Sequence, residues 1–148
     1  MYVVSLGALM LTGNPVLFPT VVLIGNFLVP VTYVTFFYDH DDLSQAGLSA
    51  TLRSFVYGGI LGVLAAAILE PLFIRGVNLF TAFLIGVIEE AAKILGLLIV
   101  ARNRRHDTQL AGLVLVAAAG MGFAALESTG YAFSSFLRSQ GSLSATVG

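Results

Sequence analysis

The sequence has no cysteine and no tryptophan, and only two of its 148 residues are histidine. The lack of cysteine excludes disulfides and cysteine-ligated metal sites. Charge is also scarce, because Asp, Glu, Lys and Arg make up 10% of the residues, against about 25% in a soluble domain. The net charge of −1 argues against a nucleic-acid partner.

Apolar residues fill the chain instead: 57% are hydrophobic and the mean hydropathy is +0.95. This composition predicts an all-α protein, a polytopic transmembrane helix bundle in contact with the lipid bilayer. About four full spans are predicted, near residues 16–38, 52–74, 79–100 and 109–136. Residues 2–12 predict a short apolar helix of about 18 Å, less than a bilayer core of roughly 30 Å. We expect residues 1–148 to form a single transmembrane domain.

Two polar segments separate predicted spans. Residues 39–49 place His40 among three aspartates, which suits a metal site, although a solvated acidic loop is the simpler interpretation. Ser49 or Thr51 is expected to cap the helix that follows. Residues 101–108 contain three arginines, so the positive-inside rule predicts that this loop is cytoplasmic and the protein integral to the plasma membrane. His106, within this loop, is expected to be exposed.

Small residues recur at helical spacing in the span near 52–74. Gly58, Gly62 and Ala66 form a small-xxx-small stripe that lets another helix approach closely. The same stripe leaves a homodimer face open.

The span near 79–100 carries Glu89, Glu90 and Lys93 at its centre. Each charge at that depth costs roughly 2.5–3.5 kcal/mol on insertion scales. An ionisable residue inside a membrane therefore indicates a functional site by default. The spacings i,i+4 and i,i+3 allow Lys93 to meet either glutamate on one face of the helix.

Glu127 is the one acid in the apolar run near 109–136. The short loop predicts that this helix packs antiparallel against its predecessor. Counting from that loop places Glu127 about 12 Å deeper than Glu90, so contact requires a tilt or a shift of register. Glu70, near the end of its own span, is expected at the membrane interface, with an accessory role in the site as the lesser alternative.

Buried carboxylates beside one ammonium suit three functions. A glutamate could act as general base for hydrolysis, the carboxylates could bind a divalent metal, or they could relay protons or a cation in a transporter. A buried ion network that only fixes helix register is the structural alternative.

Two motifs carry a family resemblance. Glu89-Glu90-Ala-Ala-Lys93 matches EExxK, and Phe123-Ala-Ala-Leu-Glu127 matches FxxxE within GMGFAALESTGYAF. Together they resemble the PrsW family of bacterial intramembrane metalloproteases, relatives of the CAAX prenyl endopeptidases, from about Asn14 to the C-terminus. The resemblance implies a metal-dependent membrane peptidase that cleaves membrane-protein substrates such as anti-sigma factors.

The resemblance also implies roles for individual residues. Glu89 and Glu90 would activate the water or hold the metal, with zinc expected. Glu127 would be a metal ligand from the second motif, so that Glu90 and Glu127 form the expected metal pair. Lys93 would support the glutamates electrostatically.

The family's third motif, HxxxD on a later helix, has no counterpart in this sequence. His40 leads to Ser44 at the required spacing and His106 leads to Leu110. We therefore expect a fragment of a longer family member that is incomplete for catalysis. The alternatives are a membrane scaffold that binds peptide segments without cutting them, and a proton- or cation-coupled transporter.

Overall fold

The computed structural model describes residues 1–39, 47–74, 76, 78–102, 108–139 and 141. Their elements in chain order are α1 (Tyr2–Thr12), a 3-10 turn (Pro15–Leu17), α2 (Phe18–Asp39), α3 (Leu48–Phe73), α4 (Leu79–Ala101) and α5 (Gln109–Arg138). These described residues contain helices and no strand. The predicted all-α class is confirmed.

Within the described residues, three segments are long and apolar enough to cross a membrane: Pro15–Phe36, Leu48–Phe73 and Gln109–Arg138. The helix α4 has 23 residues, which at 1.5 Å per residue gives about 35 Å, also enough for a span. Its three central charges distinguish it from the other long helices. Large apolar side chains along one side of it are exposed, as Phe83 is at 68%, which fits a helix that meets lipid.

Capping residues account for where the helices begin. The α4 N-terminus has a capping box, in which the Asn78 side chain accepts from the Thr81 N–H at 2.9 Å and Thr81 Oγ1 accepts from the Asn78 N–H at 2.8 Å. The α3 helix begins at Leu48, earlier than the predicted start at 52. Its N-cap is Gly47, without a side-chain cap. The expected caps, Ser49 and Thr51, lie inside the helix instead, and that prediction is wrong.

The helix α3 lies against both α4 and α5, while α2 packs on α5 and α1 packs on α2. By comparison, α4 and α5 contact each other much less extensively. The predicted contact between α4 and α5 therefore exists, but α3 is the main neighbour of both helices. The short loop joins them in sequence, but the small residues of α3 draw both helices onto α3.

The small-residue stripe works as predicted for close packing. A Cβ added at Gly58 would lie 2.5 Å from the Cβ of Ala119, and one at Gly62 would lie 2.5 Å from Cδ2 of Phe123. On the other side, a Cβ at Gly96 of α4 would lie 2.8 Å from the Cα of Gly58. The stripe is thus covered within the chain, and a homodimer stays a prediction.

Polar side chains link the same helices inside the apolar interior. Ser54 of α3 is fully buried, and its hydroxyl donates to the carbonyl of Leu115 in α5 at 2.6 Å. The Asn26 amide of α2 donates to the Thr129 hydroxyl of α5 at 3.3 Å. Interhelical hydrogen bonds of this kind help membrane helices associate, because lipid offers polar groups no alternative partner.

Candidate active site

Lys93 lies at the centre of the charged group on α4. Its Nζ is 2.7 Å from Oε1 of Glu90 and 3.7 Å from Oε2 of Glu89. Both pairs expected from the i,i+3 and i,i+4 spacings therefore form. The ammonium and the two carboxylates partly neutralise one another, which lowers the cost of holding charge at this depth.

The two neighbouring glutamates have different surroundings. The Glu89 side chain is 22% exposed, whereas that of Glu90 is 69% exposed. Adjacent positions on a helix point about 100° apart, so only one of them can face the inside of the bundle. Glu89 is that residue, because its side chain is the more buried of the two.

Glu127 of α5 comes within electrostatic range of charges from two other helices. The charges of Glu89 and Lys93 of α4 and of Glu70 of α3 are all close enough to act on its carboxylate. Both motifs therefore contribute to one charged group even though α4 and α5 pack mainly on α3. The expected metal pair of Glu90 and Glu127 stays a prediction.

A cavity of about 230 Å³ opens beside Glu127, between α3 and α5. Its polar lining consists of Glu70, Glu127, Tyr131 and Ser134. The Tyr131 side chain lies one helical turn after Glu127 and within electrostatic reach of its carboxylate. The site thus combines charged groups with a space large enough for several water molecules, each of which takes up about 30 Å³.

Glu70 is more closely associated with the site than its sequence position suggested. It lines the cavity, and its Oε1 is buried without a hydrogen-bond partner in the described part of the chain. Its expected position at the membrane interface stays a prediction. Sequence reasoning missed Tyr131 and gave Glu70 only a minor role. The sequence did offer one sign of a role for Glu70, since it is an acid in an apolar helix. No spacing rule, however, relates its position in α3 to the two motifs.

The described residues do not assemble a metal site. No group of three or more His, Asp or Glu side chains in these ranges is arranged to hold an ion, whereas zinc takes three protein ligands even in an open catalytic site. The candidate metal ligands that the described residues bring to this site are carboxylates only, those of Glu70, Glu89 and Glu127. The two histidines, His40 and His106, lie outside the described residues.

The comparisons with known proteins agree with the two motifs. A family model described as PrsW family intramembrane metalloprotease matches residues 46–148. The match begins after α2, later than the expected start near Asn14, and includes both the EExxK and the FxxxE segments. No curated protein and no solved structure matches the chain. Since the match covers more than half of the sequence, the chain belongs to the PrsW family of intramembrane metalloproteases.

Proposed function

We propose that this protein hydrolyses a peptide bond of a membrane-protein substrate inside the bilayer, with Glu89 activating the attacking water. One observation carries the proposal: Lys93, which pairs with Glu89 of the first motif, lies 4.3 Å from the ring of Phe123 of the second motif, one helical turn before Glu127 at its cavity. By the family resemblance, the substrate class is a membrane-anchored regulator of the anti-sigma-factor type.

The choice of Glu89 over Glu90 rests on their contacts. Glu90 forms the shorter ion pair with Lys93, at 2.7 Å, and is 69% exposed, whereas Glu89 lies 3.7 Å from Lys93 and is only 22% exposed. A general base needs an oxygen that is free to accept a proton and lies near the reacting water. Glu89 meets both conditions better than Glu90.

The proposed reaction is a simple hydrolysis. A water near Glu89 and Glu127 loses a proton to Glu89 while its oxygen adds to the peptide carbonyl carbon. The C–N bond then breaks, and the proton moves from Glu89 to the leaving amine nitrogen. The positive charge of Lys93 lowers the energy of the negative charge that develops on the carbonyl oxygen, an effect that is strong in a low-dielectric site.

Metal assistance, with zinc expected, is implied by the family and stays a prediction for this chain. The carboxylates of the described residues do not form a ligand set on their own, so the steps above are stated only for the residues of this chain. A metal site would require ligands from outside the described ranges or a rearrangement of these helices.

The test is cleavage of a single-span reporter substrate that is reconstituted with the protein in liposomes. We expect Glu89→Gln to reduce the rate by at least about a hundredfold, because general-base catalysis contributes about 10²–10⁴. Glu127→Gln should reduce the rate as well, because Glu127 lines the cavity in which we place the water. The matched control is Glu90→Gln, one residue away with the same change in charge, which should lose much less. Equal rates for Glu89→Gln and the unmodified protein would contradict the proposal, as would a larger loss in Glu90→Gln.

A further inference from the structure

Besides the two glutamates, the ammonium of Lys93 contacts an aromatic ring. Its Nζ lies 4.3 Å from the centroid of the Phe123 ring, within the distance of about 6 Å at which a cation is attracted to the face of an aromatic ring. Phe123 is only 2% exposed, so the interaction is shielded from solvent. It joins α4 directly to α5, two helices that otherwise pack mainly on α3.

A gap in α3 makes room for the ring. At Gly62 an added Cβ would lie 2.5 Å from Cδ2 of Phe123 and 3.2 Å from its Cε2. The ring therefore occupies the volume that a side chain at position 62 would fill. In this way Gly62 of α3 determines where the Phe123 ring of α5 lies, and the Lys93 ammonium of α4 packs against that ring.

We propose that Phe123 is a positioning residue, whose ring holds the Lys93 ammonium between α4 and α5 where it faces Glu89 and Glu127. Lysine has a long flexible stem, and in a membrane it tends to carry its ammonium toward the interface. The negative face of the ring opposes this movement, and its attraction is stronger where water is excluded. The catalytic consequence of this inference rests on the proposed function, but the contact itself does not.

The competing explanation is that Phe123 only fills space. Fluorinated phenylalanines distinguish the two, since fluorine withdraws electron density from the ring while nearly keeping its shape. We would insert mono-, di- and trifluorophenylalanine at position 123 of the full chain and measure the thermal unfolding midpoint in detergent. The midpoint should fall with each added fluorine in the native background and stay constant in Lys93→Met. The same series at Phe83, which is 68% exposed, controls for fluorination itself and should be flat.

The cleavage assay supplies a second readout. With trifluorophenylalanine at position 123, kcat should fall by about tenfold while KM stays constant, because a ring that is only 2% exposed offers the substrate almost no surface. An unchanged midpoint across the series would overturn the proposal, and so would an equal decline in Lys93→Met. If Lys93→Met does not fold, the same series in Lys93→Gln, which also removes the positive charge, decides. If the unmodified protein cleaves nothing, the proposed function fails while the stability series still tests Phe123.

Discussion

Replacing Gly122 by alanine should separate α3 from α5 and destabilise the bundle. A Cβ at this position would overlap the carbonyl oxygen of Phe55 and lie 2.8 Å from its carbonyl carbon. These atoms belong to the α3 backbone, which cannot rotate away as a flexible side chain would. Relief requires the two helices to move apart along the interface that includes the buried hydrogen bond from Ser54.

Two opposing effects set the change in the free energy of unfolding that we expect for Gly122→Ala. Overpacking typically costs about 1–3 kcal/mol, and a backbone clash belongs at the upper end of that range. Alanine in place of glycine favours a helix by about 1 kcal/mol. We therefore expect Gly122→Ala to lower the free energy of unfolding by about 2 kcal/mol.

A matched control lies two residues away on the same helix. A Cβ at Gly120 meets nothing within 4 Å, so Gly120→Ala keeps only the favourable helix term. The free energies of unfolding of the two variants should differ by about 3 kcal/mol, measured by circular dichroism during reversible SDS unfolding in mixed micelles. A difference below about 0.5 kcal/mol, the usual scatter of neutral substitutions, would refute the reasoning.

Three further outcomes are expected. Ser54→Ala should lower the free energy of unfolding by about 1 kcal/mol, since it removes a buried interhelical hydrogen bond. Ser134→Ala removes an exposed hydrogen bond to the Tyr131 carbonyl and should change the free energy of unfolding little. Equal effects of the two substitutions would argue against the packing described. The chain has no native cysteine, so an impermeant thiol reagent applied to intact cells should label Gly76→Cys and leave Arg102→Cys unlabelled if the loop after α4 is cytoplasmic; the opposite pattern would reverse the topology. Removing divalent metal with a chelator should stop cleavage, and adding zinc should restore it, whereas full activity in chelator would contradict metal assistance.

The features that could be predicted from the sequence are those that depend on one helix at a time. The apolar runs identified the helices, and helical spacing placed Lys93 beside both Glu89 and Glu90. Both results need only the geometry of a single α-helix. The start of α3 was missed because Ser49 and Thr51 resemble caps, while the actual N-cap, Gly47, contributes no side chain.

What could not be predicted depends on how helices combine. The short loop suggested that α4 packs on α5, yet α3 contacts both helices more extensively. Periodicity therefore gave no reason to place Glu70 in the cavity with Glu127, or to place Phe123 under Lys93. Those contacts follow from the depth and rotation of each helix, which are set by packing on the glycines of α3. A single sequence carries no signal for the depth or the rotation of one helix relative to another.

The packing of α4 on α3 also has a consequence for how the protein enters the membrane. The three charges of α4 would cost roughly 8–10 kcal/mol if that helix were inserted alone, a large part of what its apolar residues gain. During synthesis α3 emerges before α4. The backbone of α4 at Gly96 then packs closely against that of α3 at Gly58, and Lys93 partly neutralises the two glutamates. We therefore expect α3 and α4 to leave the translocon together as a helical hairpin, so that α4 depends on its predecessor for integration into the bilayer.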